Sequence, residues 1–235
     1  ATLVLADSVF VNDTRSQGSW YDALNPVEVN AGGTLITQGS VSLRTEYGTG
    51  GSDEGFAVKL MDSGATAILG SSGTYWGAEG AVLSEATGTT LVINNGTYNA
   101  KNNERVVVDT HGDATVNGGT ISSMWISGTL RVNGGTFEHQ DSASSDWTPL
   151  AVSGGNAYIT GGTFSAFNGR DGNASIKLEN KAKLHVLADT NGTVKIGGTT
   201  PYVGSPSTSD YKNVKLGYVK SNGWNASQDG IYRVD

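Results

Sequence analysis

The chain alternates apolar and polar residues in short stretches, and four of these run into one recurring turn. Leu91-x-Ile93, Ala114-x-Val116, Leu130-x-Val132 and Ala157-x-Ile159 lead into the segments INNGTY (93–98), VNGGTI (116–121), VNGGTF (132–137) and ITGGTF (159–164). Strict alternation over a few residues predicts a strand with one buried face. Behind each turn stands Tyr98, Ile121, Phe137 or Phe164, at an equivalent place and predicted to fill the interior. A second set of apolar runs follows: Phe56 to Leu60, Ala81 to Leu83, Val106 to Val108, Met124 to Ile126, Leu150 to Val152 and Ile176 to Leu178. Each unit is therefore expected to hold two strands, one in each of two ladders.

The Gly-Thr anchors Thr74, Thr97, Thr120, Thr136 and Thr163 are spaced by 23, 23, 16 and 27 residues, within the range of solenoid repeats. Connections this short cannot carry the crossover helix that ordinary parallel strands need, yet the units repeat in one direction. A coil reconciles both facts: each unit runs once around a polygonal section and pairs with the units above and below. The predicted fold class is all-β, a single-stranded right-handed parallel β-helix (solenoid) with capped ends, the hand following the usual outcome for twisted parallel strands. About ten coils make a rod ~45 Å long at one strand spacing per coil. Residues 1–235 read as one domain. Within it, 1–30 form an N-terminal cap and first coil, with Asn12 to Pro26 an irregular cover; 31–200 form the coils; and 201–235 form a C-terminal cap ending in a hairpin around Gln228-Asp229-Gly230. The unit at Leu69 carries one extra residue before Gly73-Thr74, which leaves its register open.

Composition adds that the turns are many and the surface acidic. Thirty-four glycines against four prolines, without a collagen period, mark positions that need positive φ or close backbone approach. Ahead of each Gly pair stands Asn94, Asn117 or Asn133, with Thr160 continuing the row; stacked at strand spacing these form either an internal amide ladder or exposed turn polarity. A net charge of −7 opposes nucleic acid and anionic lipid as partners. The absence of cysteine excludes disulfides and thiolate chemistry. No stretch approaches the ~18 apolar residues of a membrane span, so no membrane insertion is expected. A first residue of Ala1 suits a mature or excised chain that has lost a targeting signal.

The frame Thr129-Leu130-Arg131-Val132-Asn133-Gly134-Gly135-Thr136-Phe137, the opening stretch Val27 to Leu35 and the rear segment DYKNVKLGYVKSNGWNASQDGIYRV (210–234) resemble the right-handed parallel β-helix regions of large secreted surface proteins of gut bacteria. In those regions Gly-Gly-Thr-Phe turns recur, and a Tyr-rich segment ending in Asp-Gly-x-Tyr-x-Val closes the helix. The resemblance implies a pectin-lyase-like fold, an extracellular or cell-surface location and an adhesin-like role. It further implies a monomeric module of a larger surface protein. It supplies no catalytic motif and no cofactor.

Function is then sought where the repeat is broken, because insertions in solenoids gather on one face, often the binding face. Between the post-turn residue and the second strand the chain is short after Ile121, moderate at 99–105 and long at 138–148 and 165–174. Trp147 lies in one such loop, Trp76 two residues after Thr74, and Trp125 at the outward position between Met124 and Ile126. An aromatic face with polar neighbours suits a sugar ring. Trp76, Trp125, Trp147 and His139 are therefore the candidate ligand-binding residues, set against the plainer reading that tryptophan packs loops onto the rod.

For catalysis the candidates are Glu138 and Asp141, because polysaccharide lyases and glycosidases use grouped carboxylates. Asp109, His111 and Asp113 read as polar residues of the tight connection on the opposite side. The stretch 168–173 has Asx and Gly in loop spacing but lacks the terminal Glu of a calcium loop; neither metal nor cofactor is expected. The leading expectation is a non-catalytic surface module that binds a glycan or a host or bacterial surface protein, or serves as a rigid spacer. A polysaccharide-active enzyme with a shallow carboxylate groove and a trimeric phage fibre section are the alternatives.

Overall fold

The computed structural model describes residues 1–13, 25–46, 55–101, 106–138, 149–165, 176–180, 182–186, 194–197 and 214–216. Among these the regular elements are all strands, and they pair in parallel in three sheets of nine, eight and seven strands. Each circuit visits the sheets in turn. Thr90–Ile93 lies in the first sheet, Thr97–Ala100 in the second and Val108–Thr110 in the third; Asp113–Val116 then returns to the first, beside Thr90–Ile93. The arrangement is consistent with a parallel β-helix solenoid.

The predicted column of inward residues is present. Ile93 pairs with Val116, Val116 with Val132 and Val132 with Ile159, and all four are fully buried. Large side chains of successive circuits also meet face to face inside. The rings of Tyr75 and Tyr98 stack with centres 4.7 Å apart, as do those of Phe137 and Phe164, a distance set by the strand spacing itself.

Three strands per circuit replace the two expected. The Gly-Thr-aromatic stretch is itself a strand of the second sheet, with Thr97, Thr120, Thr136 and Thr163 in register. Its shortness hid it: Thr120–Ile121 is only a residue pair, and a single buried position displays no period. One strand of the third sheet is also displaced. It runs Val108–Thr110 rather than from Val106, because the Val107 carbonyl accepts from both Ala81 and Val82 amides (2.7 and 3.1 Å), a bulge that leaves Val107 outside the ladder.

The open register at Leu69 is settled by the corner. Leu69 pairs with Ile93 and Tyr75 with Tyr98, so the extra residue is absorbed within 70–73. There the buried Ser71 donates its hydroxyl to the Val41 carbonyl at 2.7 Å and accepts from the Gly73 amide at 2.9 Å. Later corners, at 94–96, 117–119, 133–135 and 160–162, are one residue shorter. Their last residue is always glycine, with φ of +104° at Gly96 and +107° at Gly162, where a side chain would strain the backbone. The preceding glycine answers a second need: a Cβ at Gly134 would lie 2.6 Å from the Asn117 carbonyl oxygen of the circuit before.

The asparagine row is a ladder, and it lies outside. Asn117 donates to Asn94 (2.8 Å), Asn133 to Asn117 (2.8 Å) and the Thr160 hydroxyl to Asn133 (2.9 Å). All four residues are exposed.

At the front, Thr2–Leu5 and Val27–Val29 are strands as predicted, and Phe10–Asp13 is a third, so Asn12 and Asp13 belong to a strand rather than to an irregular cover. The apolar column is open here: Leu3 is 48% exposed, whereas its partner Leu35 is at 0%. A recess of about 300 Å³ lies between Leu3, Val27, Val29 and Leu35. Residues 14–24 of the proposed front cover and the rear hairpin around Gln228-Asp229-Gly230 lie outside the described residues, while Asn25 accepts the Gly55 and Phe56 amides at 3.1 and 2.9 Å. Within 201–235, Val214–Leu216 adds a strand to the first sheet beside Lys183–Val186.

Two predictions follow from the interior. Gly134→Ala should cost ~1–3 kcal/mol through the clash with Asn117, and Asn117→Ala only about 1 kcal/mol for exposed hydrogen bonds. Thermal melts check this, and the reverse order would assign the corner to the ladder instead of to close approach. The second concerns Tyr98, whose hydroxyl donates to the Asn95 carbonyl at 2.8 Å. Burial pushes its phenol well above the ordinary value of 10.0, and the neighbouring Tyr75 adds to the rise. The fold thus favours the neutral phenol, so this contribution is complete below about pH 10 and is lost as pH rises toward the folded value, the unfolded chain deprotonating first. Urea unfolding should show wild-type stability falling more than that of Tyr98→Phe between about pH 8 and pH 11. Equal falls would exonerate Tyr98.

Candidate functional site

Connections between sheets differ by corner. From third to first sheet they run from two residues, as at 127–128 and 154–155, to five at 61–65 and 85–89, and those from first to second between Thr90 and Ser165 are the glycine corners. From second to third they range from 78–79 and 122–123 to 139–149 and 166–175. One corner therefore carries the variable loops, and the outer faces of the second and third sheets flank it.

On the third sheet, residues facing away from the core fall into the register Lys59, Leu83, Asp109, Trp125, Ala151. The outer face is not uniformly open. Every residue of Phe56–Leu60 and Gly80–Ser84 is buried, including the outward Ala57, Lys59, Ala81 and Leu83. The Lys59 ammonium is held 3.3 Å from the Glu85 carboxylate, the pairing that a buried cation requires. Further along the rod the face opens: Asp109 and Trp125 are half-buried.

Trp125 stands next to Asp109 in the ladder, and the His111 ring lies 5.1 Å from the indole at 55°. An apolar indole, a carboxylate and an imidazole are thus collected on one open strip. Asp109 was expected on the tight connection; it lies within strand Val108–Thr110 instead, because that strand sits two residues later than the apolar run suggested. The signal was available in the alternation of Val108-Asp109-Thr110 laid against Met124-Trp125-Ile126. Asp113, also expected on the tight connection, opens the strand Asp113–Val116, and its carboxylate accepts the Thr129 amide of the next circuit at 2.9 Å.

Trp76 lies elsewhere. It is in the second sheet, between Arg44 and Asn99 in register. The Arg44 guanidinium covers its ring at 4.3 Å and also pairs with Glu46 at 3.2 Å. One indole face is therefore already occupied by a cation. Trp76 and Trp125 flank the same corner from different sheets and different circuits, so they do not form one patch. Glu138 ends the strand Thr136–Glu138, exposed and in register with Ser165. His139, Asp141 and Trp147 lie outside the described residues, as does the 168–173 stretch.

Among the described residues no group of three or more histidines and carboxylates is placed to hold a metal ion, and no helix is long and apolar enough to cross a membrane. Missed in the sequence were Arg131, Tyr158 and His185, outward neighbours on the first sheet: Arg131 lies 5.1 Å from the Tyr158 ring centre and His185 stacks on it at 4.7 Å. Arg131 and Tyr158 are the unassigned middle residues of the alternating Leu130-x-Val132 and Ala157-x-Ile159, and His185 stands in the like stretch Leu184-x-Val186, which the sequence reading did not pick out. In comparisons with known proteins, no family model, curated protein or solved structure matches this chain.

Proposed function

We propose that the chain is a non-catalytic, right-handed β-helix module of about ten coils, adhesin-like, extracellular or at the cell surface, and part of a larger surface protein, which binds a glycan beside its variable corner. The observation that carries this reading is the strip on the third sheet where the half-buried Trp125 stands with His111 and with Asp109, whose Oδ1 is buried, at its side. An indole covers the apolar face of a sugar ring, while carboxylate and imidazole take its hydroxyls. Trp76 is the weaker platform because Arg44 occupies one face of its ring. The resemblance to surface proteins of gut bacteria, on the turn frame and closing segment, supports the location and the adhesin-like role.

A glycan array on wild type, Trp125→Ala and Trp76→Ala tests the reading. A reproducible hit should lose about tenfold or more in affinity with Trp125→Ala, equivalent to about 1.4 kcal/mol, and change little with Trp76→Ala. A protein silent on the array would be a spacer. Release of reducing ends or unsaturated sugars, abolished by Glu138→Gln, would replace binding with the enzymatic alternative built on Glu138 and Asp141. Sedimentation should give a monomer; a dilution-resistant trimer would favour the fibre alternative.

A further inference from the structure

We propose that the outer face of the first sheet, at Thr129–Val132, Asn156–Ile159 and Lys183–Val186, binds a linear glycan carrying carboxylates, at a site separate from Trp125. These strands pair in parallel and in register, so their outward residues form two rows: Arg131, Tyr158 and His185, and beside them Thr129, Asn156 and Lys183. The Arg131 guanidinium lies 5.1 Å from the Tyr158 ring centre, and His185 stacks on the other side at 4.7 Å and 11°. Tyr158 thus lies between the Arg131 guanidinium and the His185 ring, and the exposed Arg131 with the half-buried Tyr158 and His185 brings N–H and O–H donors to this face.

Charge points the same way. The chain has 22 acidic residues and a net charge of −7, yet the exposed Arg131 and Lys183 have no ion-pair partner among the described residues. Asp113 of the preceding strand, which accepts the Thr129 amide, places one negative charge at that end of the strip. The result is a local cationic strip on an acidic molecule. Beside Thr129–Val132 and Asn156–Ile159 the connections to the adjoining sheets are short, 127–128 and 154–155 on one side and 133–135 and 160–161 on the other.

Strands repeat at about 4.8 Å along the strip, a pitch comparable with one pyranose of an extended chain. Arg131 and His185 stand two strands apart with Tyr158 between them, so alternate carboxylates can meet Arg131 at one end and the His185 and Lys183 pair at the other, and the Tyr158, Thr129 and Asn156 side chains can take hydroxyls. A uronate fits better than nucleic acid, whose denser phosphates would be repelled by the acidic remainder of the protein.

Calorimetric titration of the whole chain with polygalacturonate oligomers tests this, with amylose, dextran sulfate and single-stranded DNA as comparisons. Uronate should bind and weaken with added salt, and amylose should not bind. Arg131→Gln and Lys183→Gln should each lower uronate affinity about fivefold to tenfold, with melting temperatures unchanged because both side chains are exposed. Trp125→Ala should leave uronate binding intact, which separates this site from the one on the third sheet. The proposal is overturned if amylose binds as well as uronate, or if only dextran sulfate or DNA binds. It also fails if the Arg131→Gln/Lys183→Gln double variant retains wild-type uronate affinity, or if Trp125→Ala abolishes the binding.

Discussion

Parallel pairing in register between successive circuits is the constraint on which everything else rests. A strand in this molecule finds its backbone partners only in the circuit before and the circuit after, at one strand spacing. Once Thr90–Ile93 lies beside Asp113–Val116, each residue sits against its equivalent, and the side chains have no choice but to stack. Tyr75 on Tyr98 and Phe137 on Phe164 at 4.7 Å are consequences of that spacing. The same geometry outside the core stacks Tyr158 on His185 and strings asparagine amides into a ladder.

Corners must obey the constraint too, and there the chain has least room. The carbonyl of Asn117 passes so close to Gly134 that a β-carbon does not fit, and the glycine after it turns the chain with a left-handed backbone. The earlier corners solve the problem differently. They spend one more residue, and at 70–73 a buried serine bonds the carbonyl of the circuit below. Both solutions deliver the next strand at the same height, which is why register survives the change in corner length.

A scaffold of this kind separates stability from recognition. Inward columns carry the apolar burial, while outward columns are free to vary and are placed side by side by the ladder. That division lets one rod present chemically different strips: Trp125 with Asp109 and His111 on the third sheet, Arg131 with Tyr158, His185 and Lys183 on the first. The third sheet departs from it at Phe56–Leu60 and Gly80–Ser84, buried on both faces, where a lysine is tolerated because Glu85 neutralises it.

The inward columns and the glycine turns were legible in the chain alone, since Leu91-x-Ile93 and its equivalents alternate and each stops at the same Asn-Gly or Gly-Gly. Local chemistry suffices there: burial enforces a period of two, and positive φ selects glycine. The second sheet was not legible, because the Gly-Thr-aromatic stretch that forms its strands was read as turn, and at Thr120–Ile121 there is no period to show otherwise. Nor were the outward neighbourhoods. Whether Asp109 meets Trp125, or Arg131 meets Tyr158, depends on how circuits of unequal length are brought into register, and a bulge at Val107 moved one strand by two residues. Sequence determines which residues face inward; the stacking of one circuit on the next decides which outward residues become neighbours, because that contact is made by the backbone ladder and not by the residues themselves.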